Sequence, residues 1–265
     1  LSATVKIDTS QVMQHVQQLR DRFTRATLKD VESWPSEHKM SGRAEFINAN
    51  TIQVNHQEYQ AKNFILAVGS TPNIDAKLKQ RLGDRLITTD QIFELKQLPQ
   101  SIAVIGSGVI ALELAQAMHR LGVKTEIFAR SRKIGTLVSK NLQQVAQNEL
   151  LKELNLNFEI LPSDYTRTEH GIEIIYQQND TKQLITVDYV LSATGRQSRL
   201  NTLHLEKISS IFSDPKKIPV NPNTKQLSNY PIYIVGDAFT NTPIQHEAAH
   251  EGKLVVQNIL SNKQV

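Results

Sequence analysis

SIAVIGSGVIALELAQAMHRLGVKTEIFARSR, Ser101 to Arg132, is the stretch that decides how this chain is read. Ile102-Ala103-Val104-Ile105 is a short apolar run, the pattern of a buried strand, and it meets Gly106-Ser107-Gly108. Leu112, Ala115, Met118 and Leu121 then recur at helical spacing until Gly122, a helix stop. A second strand is expected from Val123 to Ala129. In the order strand, tight turn, helix, strand, the glycines acquire a physical role as a dinucleotide-binding fingerprint. Gly106 permits the turn, Gly108 lets a pyrophosphate approach the backbone, and the small Ala111 lets the helix pack on the strand. Phosphates would sit on the helix N-terminus, where unpaired N–H groups and the helix dipole favour anions. The plainer alternative is a strand-to-helix turn packed for its own sake.

At 265 residues the chain has room for about two domains. Its 39% hydrophobic and 21% charged residues place it among ordinary soluble globular proteins, and no apolar run approaches membrane-spanning length. The formal charge of +4 is mild and the basic residues are scattered, so neither nucleic acid nor a membrane is expected as a partner. The absence of cysteine excludes disulfides, thiolate metal sites and thiol catalysis within these residues. No catalytic residue and no metal site is expected here. With Leu1 in first place and no signal peptide, the expectation is a piece of a longer cytoplasmic chain.

Outward from the central stretch, a short strand is expected at Leu1 to Asp8. An amphipathic helix, capped by Thr9 or Ser10, should follow to about Ser33 with Val12, Val16, Leu19, Phe23 and Leu28 on one face. GRAEFI and TIQV, split by Asn48-Ala49-Asn50, suggest an antiparallel meander between Lys39 and Tyr59. Phe64 to Val68 reads as a buried strand ending at Gly69-Ser70-Thr71-Pro72, where the glycine serves either a ligand's approach or only a turn. Residues 73–100 read as irregular connecting material. A helix is expected from Ser139 to Leu154, with strands at Asn157–Leu161, Gly171–Gln177 and Leu184–Ser192. Val187 to Arg196 repeats the shape of Phe64 to Ser70, an apolar run followed by small residues and glycine. Such duplication suits a chain with two related dinucleotide-binding domains. A last strand, Pro231 to Val235, runs into Gly236-Asp237-Ala238, and a helix follows from about Ile244 to Leu260. Asp237 at a strand's carboxyl end suits a sugar or ribityl hydroxyl, or is a turn aspartate.

Together, AVGSTP (67–72), GSGVIALE (106–113), ATGR (193–196) and YIVGDAFTNTPIQHEAAHEG (233–252) resemble the flavin-dependent pyridine nucleotide–disulfide oxidoreductases. HEAAHEG is most similar to the dihydrolipoamide dehydrogenase branch. The resemblance implies an α/β fold in which a Rossmann-like NAD(P)-binding domain is inserted into the remaining part of a related FAD-binding domain. The boundaries expected on that basis are 1–85 for the later part of the FAD domain, 86–205 for the NAD(P) domain and 206–265 for the segment returning to FAD. The family's N-terminal FAD fingerprint with its cysteine pair, and its C-terminal dimerisation domain, have no counterpart in these residues.

The resemblance implies FAD contacts at Ala44, Gly69, Ser70, Gly236, Asp237, Gln245 and His246. Ala44 would present backbone to the adenine, Asp237 would bond the ribityl chain, and the helix starting near Gln245-His246 would aim its N-terminus at the flavin pyrimidine. It implies NAD(P) contacts at Gly106, Ser107, Gly108, Val109 and Ile110 for the pyrophosphate, and at Glu113 on the nicotinamide side, although Glu113 alone could be a first-turn carboxylate favoured by the dipole. Gly195 and Arg196 would border the same cleft.

Cofactor choice follows from charge. NAD enzymes of this fold place Asp or Glu at the end of the second strand, and NADP enzymes place arginine there for the 2′-phosphate. Here that strand ends at Ala129-Arg130, Glu126 lies too early to reach the ribose, and Arg130, Arg132 and Lys133 supply cations. NADP is therefore expected over NAD. The family's second NADP-type arginine would fall near Thr136, so Arg132 or Lys133 must substitute. The implied activity is hydride transfer between NAD(P)H and FAD and on to a disulfide or dithiol substrate, in a homodimeric parent protein. The alternatives are a cysteine-independent flavoprotein reductase or transhydrogenase, and a nucleotide-binding module without turnover.

Overall fold

A computed structural model describes residues 7–240 and 243–261. In chain order its helices are α1 (Thr9–Glu32), α2 (Ala76–Leu82), α3 (Val109–Arg120), α4 (Lys140–Leu151) and α5 (Gln245–Ser261). Its strands are β1 (Ala44–Asn48), β2 (Thr51–Val54), β3 (Gln57–Gln60), β4 (Phe64–Leu66), β5 (Ser70–Pro72), β6 (Leu86–Thr88), β7 (Ser101–Ile105), β8 (Lys124–Ala129), β9 (Asn155–Phe158), β10 (Asp164–Thr168), β11 (Gly171–Gln178), β12 (Thr181–Val187), β13 (Tyr189–Ser192), β14 (Arg196–Ser198) and β15 (Ile232–Ile234). The expected first strand lies largely outside the described residues, and Ile7 and Asp8 are not in a strand. No described helix is long and apolar enough to cross a membrane.

The chain folds into two compact units. One takes the chain up to Val31 and from Pro72 to Gly195, and the other runs from Glu32 to Thr71 and from Arg196 onward. The sequence boundaries at 85 and 205 therefore do not coincide with the contact boundaries. Residues 72–85 and α1 join the first unit, and 196–205 join the second. Specific contacts explain the position of α1. Met13 is buried in the cluster that holds Ile92 and Leu98, Gln17 Nε2 donates to the Leu95 carbonyl at 3.0 Å, and Arg20 pairs with Glu94.

The first unit is built on a five-stranded parallel sheet in the order β6-β13-β7-β8-β9. From β7 the chain steps through α3 to β8 and through α4 to β9, then crosses by the antiparallel meander β10-β11-β12 to β13 on the other side of β7. The order thus reverses between β7 and β13, which in an open α/β sheet opens a crevice at the strands' carboxyl ends. Side chains alternate between two cores. Ile102 and Val104 join α3's Ala111, Leu112, Ala115 and Met118, while Ala103 joins Phe128, Ile172, Ile174 and Tyr176 from β8 and the meander. Covering both faces accounts for the unbroken apolar run of β7, whose Ile102, Ala103 and Val104 are all fully buried. Phe128 and Tyr176 meet edge to face, centroids 4.9 Å apart. Asp188 fixes the register at the other end of β7, accepting the N–H groups of Gln100 at 2.7 Å and Ser101 at 3.0 Å.

Several expectations need correction. Residues 73–100 are not irregular: Asp75 caps α2 through the N–H groups of Lys77 and Leu78, and β6 pairs with β13. A strand of three residues is too short to show a period. β10, DYTRT, lacks an apolar run because it edges the meander, and Ser70–Pro72 is itself a strand rather than a turn. The cap of α1 is Asp8, whose carboxylate accepts from Ser10 and Gln11 at 3.0 Å, rather than Thr9 or Ser10. Its expected stripe is largely exposed, with Phe23 at 71%, so only the first turns anchor the helix.

The second unit holds the meander β1-β2-β3, the parallel pair β4 and β15, and the pair β5 and β14. Phe46, Phe64, Leu66, Leu200, Phe212, Ile232 and Ile234 form its core, with Phe46 edge-on to Phe64 at 5.2 Å.

Candidate dinucleotide site

Gly106 sits where three strand ends meet. Its N–H donates to the Phe128 carbonyl at 2.9 Å, and the neighbouring Ala193 N–H donates to Ile105 at 3.0 Å. Its φ is +129°, and a Cβ there would strike the Ala193 carbonyl oxygen. Glycine is what allows β7 and β13 to close on one another at the mouth of the crevice. Gly108 has a different task. It occupies the N-cap of α3 in extended geometry, φ −68° and ψ 168°, with no side-chain cap, and a Cβ there would meet nothing within 4 Å. The first-turn N–H groups of α3 therefore face open space at the positive end of the helix dipole, which fits a pyrophosphate. Val109 and Ile110 are 45% and 43% exposed beside it, an apolar surface at the edge of a polar cradle. Glu113, one turn on, is exposed and has no hydrogen bond or ion pair among the described residues. Gly195 follows the end of β13 at the same edge of the sheet. The structure thus brings Ala193, two residues before Gly195, against Gly106 at the start of the turn that continues through Ser107, Gly108, Val109 and Ile110.

At the end of β8, Ala129 is buried and Arg130 is exposed, so the strand ends on a cation rather than a carboxylate. Glu126 is committed to β9, accepting from Asn157 Nδ2 at 2.5 Å and Asn155 Nδ2 at 3.3 Å. The three cations that follow differ. Arg132 stacks over the Phe158 ring at 5.2 Å and lies 4.0 Å from Glu159. Arg130 and Lys133 are exposed, and their side chains meet no partner among the described residues. Arg132 and Lys133 line an open pocket of about 350 Å³ with Leu137, Val138, Gln143 and Gln147.

The residues expected on the flavin side group in the second unit. Asp237 Oδ2 accepts from Ser70 Oγ at 3.3 Å, and its other oxygen meets no donor among the described residues. Ser70 Oγ in turn accepts from Arg196 Nε at 2.8 Å, and the Ser70 carbonyl accepts from Arg196 Nη2 at 3.1 Å. Arg196 follows Gly195 directly in the chain, and its guanidinium steadies Ser70, which in turn bonds Asp237. Gly236, at φ +64°, donates its N–H to Glu251 Oε2 at 2.8 Å, and Glu251 Oε1 pairs with Lys225 at 2.7 Å. Gln245 and His246 open α5 and are exposed, and Ala44 is the half-buried first residue of β1. Among the described residues no group of three or more acidic or histidine side chains could hold a metal ion.

The family model described as pyridine nucleotide-disulphide oxidoreductase matches residues 6–252. The chain belongs to that family. A mercuric reductase of Staphylococcus aureus is 35% identical over 222 residues, covering 83% of this chain and 40% of the relative. A dihydrolipoyl dehydrogenase of the same species is 27% identical over 255 residues, covering 93% and 54%. Among solved structures, LpdA from Mycobacterium tuberculosis superposes with a TM-score of 0.79 at 20% identity over 98% of this chain and 58% of its own. The HOCl-induced flavoprotein disulfide reductase RclA from Escherichia coli gives 0.76 at 16% identity, over 95% and 57%. These likenesses bear out the expected α/β fold class. The chain spans about half the length of these relatives.

Sequence reasoning missed Glu251, Lys225, Gln143 and Gln147. The two glutamines, four residues apart in α4, lie on one helix face, and nothing in the sequence separates them from the exposed Gln144 and Asn148 of the same helix.

Proposed function

We propose that this chain is the nucleotide-handling part of a flavoprotein oxidoreductase that takes reducing equivalents from NADPH to FAD and on to a disulfide or dithiol. The observation that carries it is the crevice between β7 and β13, where Gly108 leaves the N-terminus of α3 uncapped and open. Bound flavin and nicotinamide supply the two-electron chemistry. This chain's residues bind and orient. The turn at 106–108 and the first turn of α3 receive the pyrophosphate, Val109 and Ile110 shield one side of it, and Arg130 and Lys133 face the 2′-phosphate. Asp237, steadied by Ser70 and Arg196, accepts from the ribityl chain. The parent is proposed to be a homodimer, as the family resemblance suggests.

The test is the visible spectrum of the purified protein with flavin bound, before and after anaerobic addition of NADPH or NADH. Bleaching of the flavin band, faster with NADPH, is expected. A flavin band that neither nucleotide bleaches would overturn the reading. A chain that binds NADPH but never flavin would leave it a nucleotide-binding module.

A further inference from the structure

The loop leaving β8 is held by side chains from two other elements. Gln143 Oε1 accepts the Ile134 N–H at 2.7 Å, and its Nε2 donates to the carbonyls of Ile134 at 3.1 Å and Leu137 at 2.6 Å. One turn later, Gln147 Nε2 donates to the Arg132 carbonyl at 2.6 Å. From the glycine turn, Ser107 Oγ donates to the Lys133 carbonyl at 2.8 Å, and the Ser107 carbonyl accepts the Gly135 N–H at 2.9 Å. Three successive carbonyls, those of Arg132, Lys133 and Ile134, are thus each taken by a side chain.

The helix that supplies the glutamines faces an unusual way. Gln147 is only 6% exposed, whereas Leu142, Val145 and Leu151 stand 56%, 58% and 45% exposed. A buried amide loses its hydration, and only the hydrogen bonds to the loop offset that loss. α4 therefore uses part of its inward face to fix a backbone rather than to fill a core. The fixed backbone carries Lys133 and begins two residues after Arg130; the side chains of both meet no partner among the described residues, and the backbone is joined through Ser107 to the turn proposed to receive the pyrophosphate.

We infer that Gln143, Gln147 and Ser107 are positioning residues for cofactor choice, setting the distance between the pyrophosphate turn and the two cations that meet a 2′-phosphate. The inference rests on the proposed NADPH preference. A prearranged loop leaves only side-chain freedom to be lost when the phosphate binds, so its effect falls on the phosphorylated nucleotide. NADH uses the same pyrophosphate turn and gains nothing from the cations.

The test is titration of the full chain with NADPH and with NADH, for the unaltered protein, Gln147→Leu, Gln143→Leu and Ser107→Ala. For the unaltered chain NADPH is expected to bind about tenfold or more tightly than NADH. Each glutamine variant should lose NADPH affinity by about tenfold, one unit of 1.4 kcal/mol, with NADH affinity changed less than about twofold. Ser107→Ala removes one hydroxyl and should shift the ratio in the same direction should either glutamine variant fold poorly. An unaltered preference in the variants, or equal losses for both nucleotides, would overturn the inference while leaving the NADPH reading intact. A native chain that does not distinguish the nucleotides would instead overturn that reading, and the inference with it.

Discussion

Gly106→Ala is expected to destabilise the first unit by about 3 kcal/mol or more and to abolish measurable nucleotide binding. At φ +129° an alanine is strained, a cost of order 1–3 kcal/mol. Its methyl would also strike the Ala193 carbonyl oxygen, which is backbone at the end of β13 and cannot rotate away. Relief requires β7 and β13 to part at the mouth of the crevice. Thermal unfolding should show a midpoint lower by roughly 6–12 °C. Gly108→Ala provides the contrast, because φ there is −68° and a Cβ meets nothing within 4 Å. Its stability should fall by no more than about 1 kcal/mol, the difference between glycine and alanine at an N-cap. Nucleotide affinity should nonetheless fall about tenfold or more, since the methyl takes the space left for a phosphate. Unchanged affinity in Gly108→Ala would mean that the phosphates do not lie on this helix end.

The double variant Arg130→Ala, Lys133→Ala should be the next most damaging, and selectively so. Hydrogen bonds to a charged group contribute about 1.5–3 kcal/mol each. Both side chains are exposed, so solvent screening reduces this to about 2–4 kcal/mol for the pair. NADPH affinity should then fall roughly 30- to 700-fold, with NADH changed less than about threefold. Raising the salt concentration should weaken NADPH binding to the unaltered chain and have little effect on the double variant. Arg132→Ala should do much less, because that guanidinium is engaged by Phe158 and Glu159. Equal sensitivity of the two nucleotides in the double variant would remove the 2′-phosphate from this loop.

The centre of the fold was legible because its physics is local. β7, the glycine turn and α3 announce themselves through an apolar run, two glycines and a helical period within a single stretch, and the structure keeps them within a residue or so of expectation. β6 and β5 were missed because three-residue strands owe their existence to their neighbours β13 and β14 rather than to their own pattern. α1 was read as uniformly amphipathic, yet only Met13, outside the expected stripe, is fully buried, since burial depends on what a helix rests against. The partner of Arg196 could not be read either. Its guanidinium reaches Ser70, 126 positions away, and nothing in ATGR indicates such a contact. The same holds for Gln143 and Gln147, whose polar character in an amphipathic helix reads as a solvent face until the loop they hold is seen.

Hydrogen–deuterium exchange of the full chain, with and without saturating NADPH, tests the location of the site most directly. Slowed exchange is expected at residues 106–112, where the uncapped N–H groups of α3 gain a phosphate acceptor, and again at 130–137 and 193–195. NADH should protect 106–112 and leave 130–137 nearly unchanged. Protection by NADPH confined to other parts of the chain, with 106–112 exchanging as before, would contradict the assignment of the crevice between β7 and β13 as the dinucleotide site.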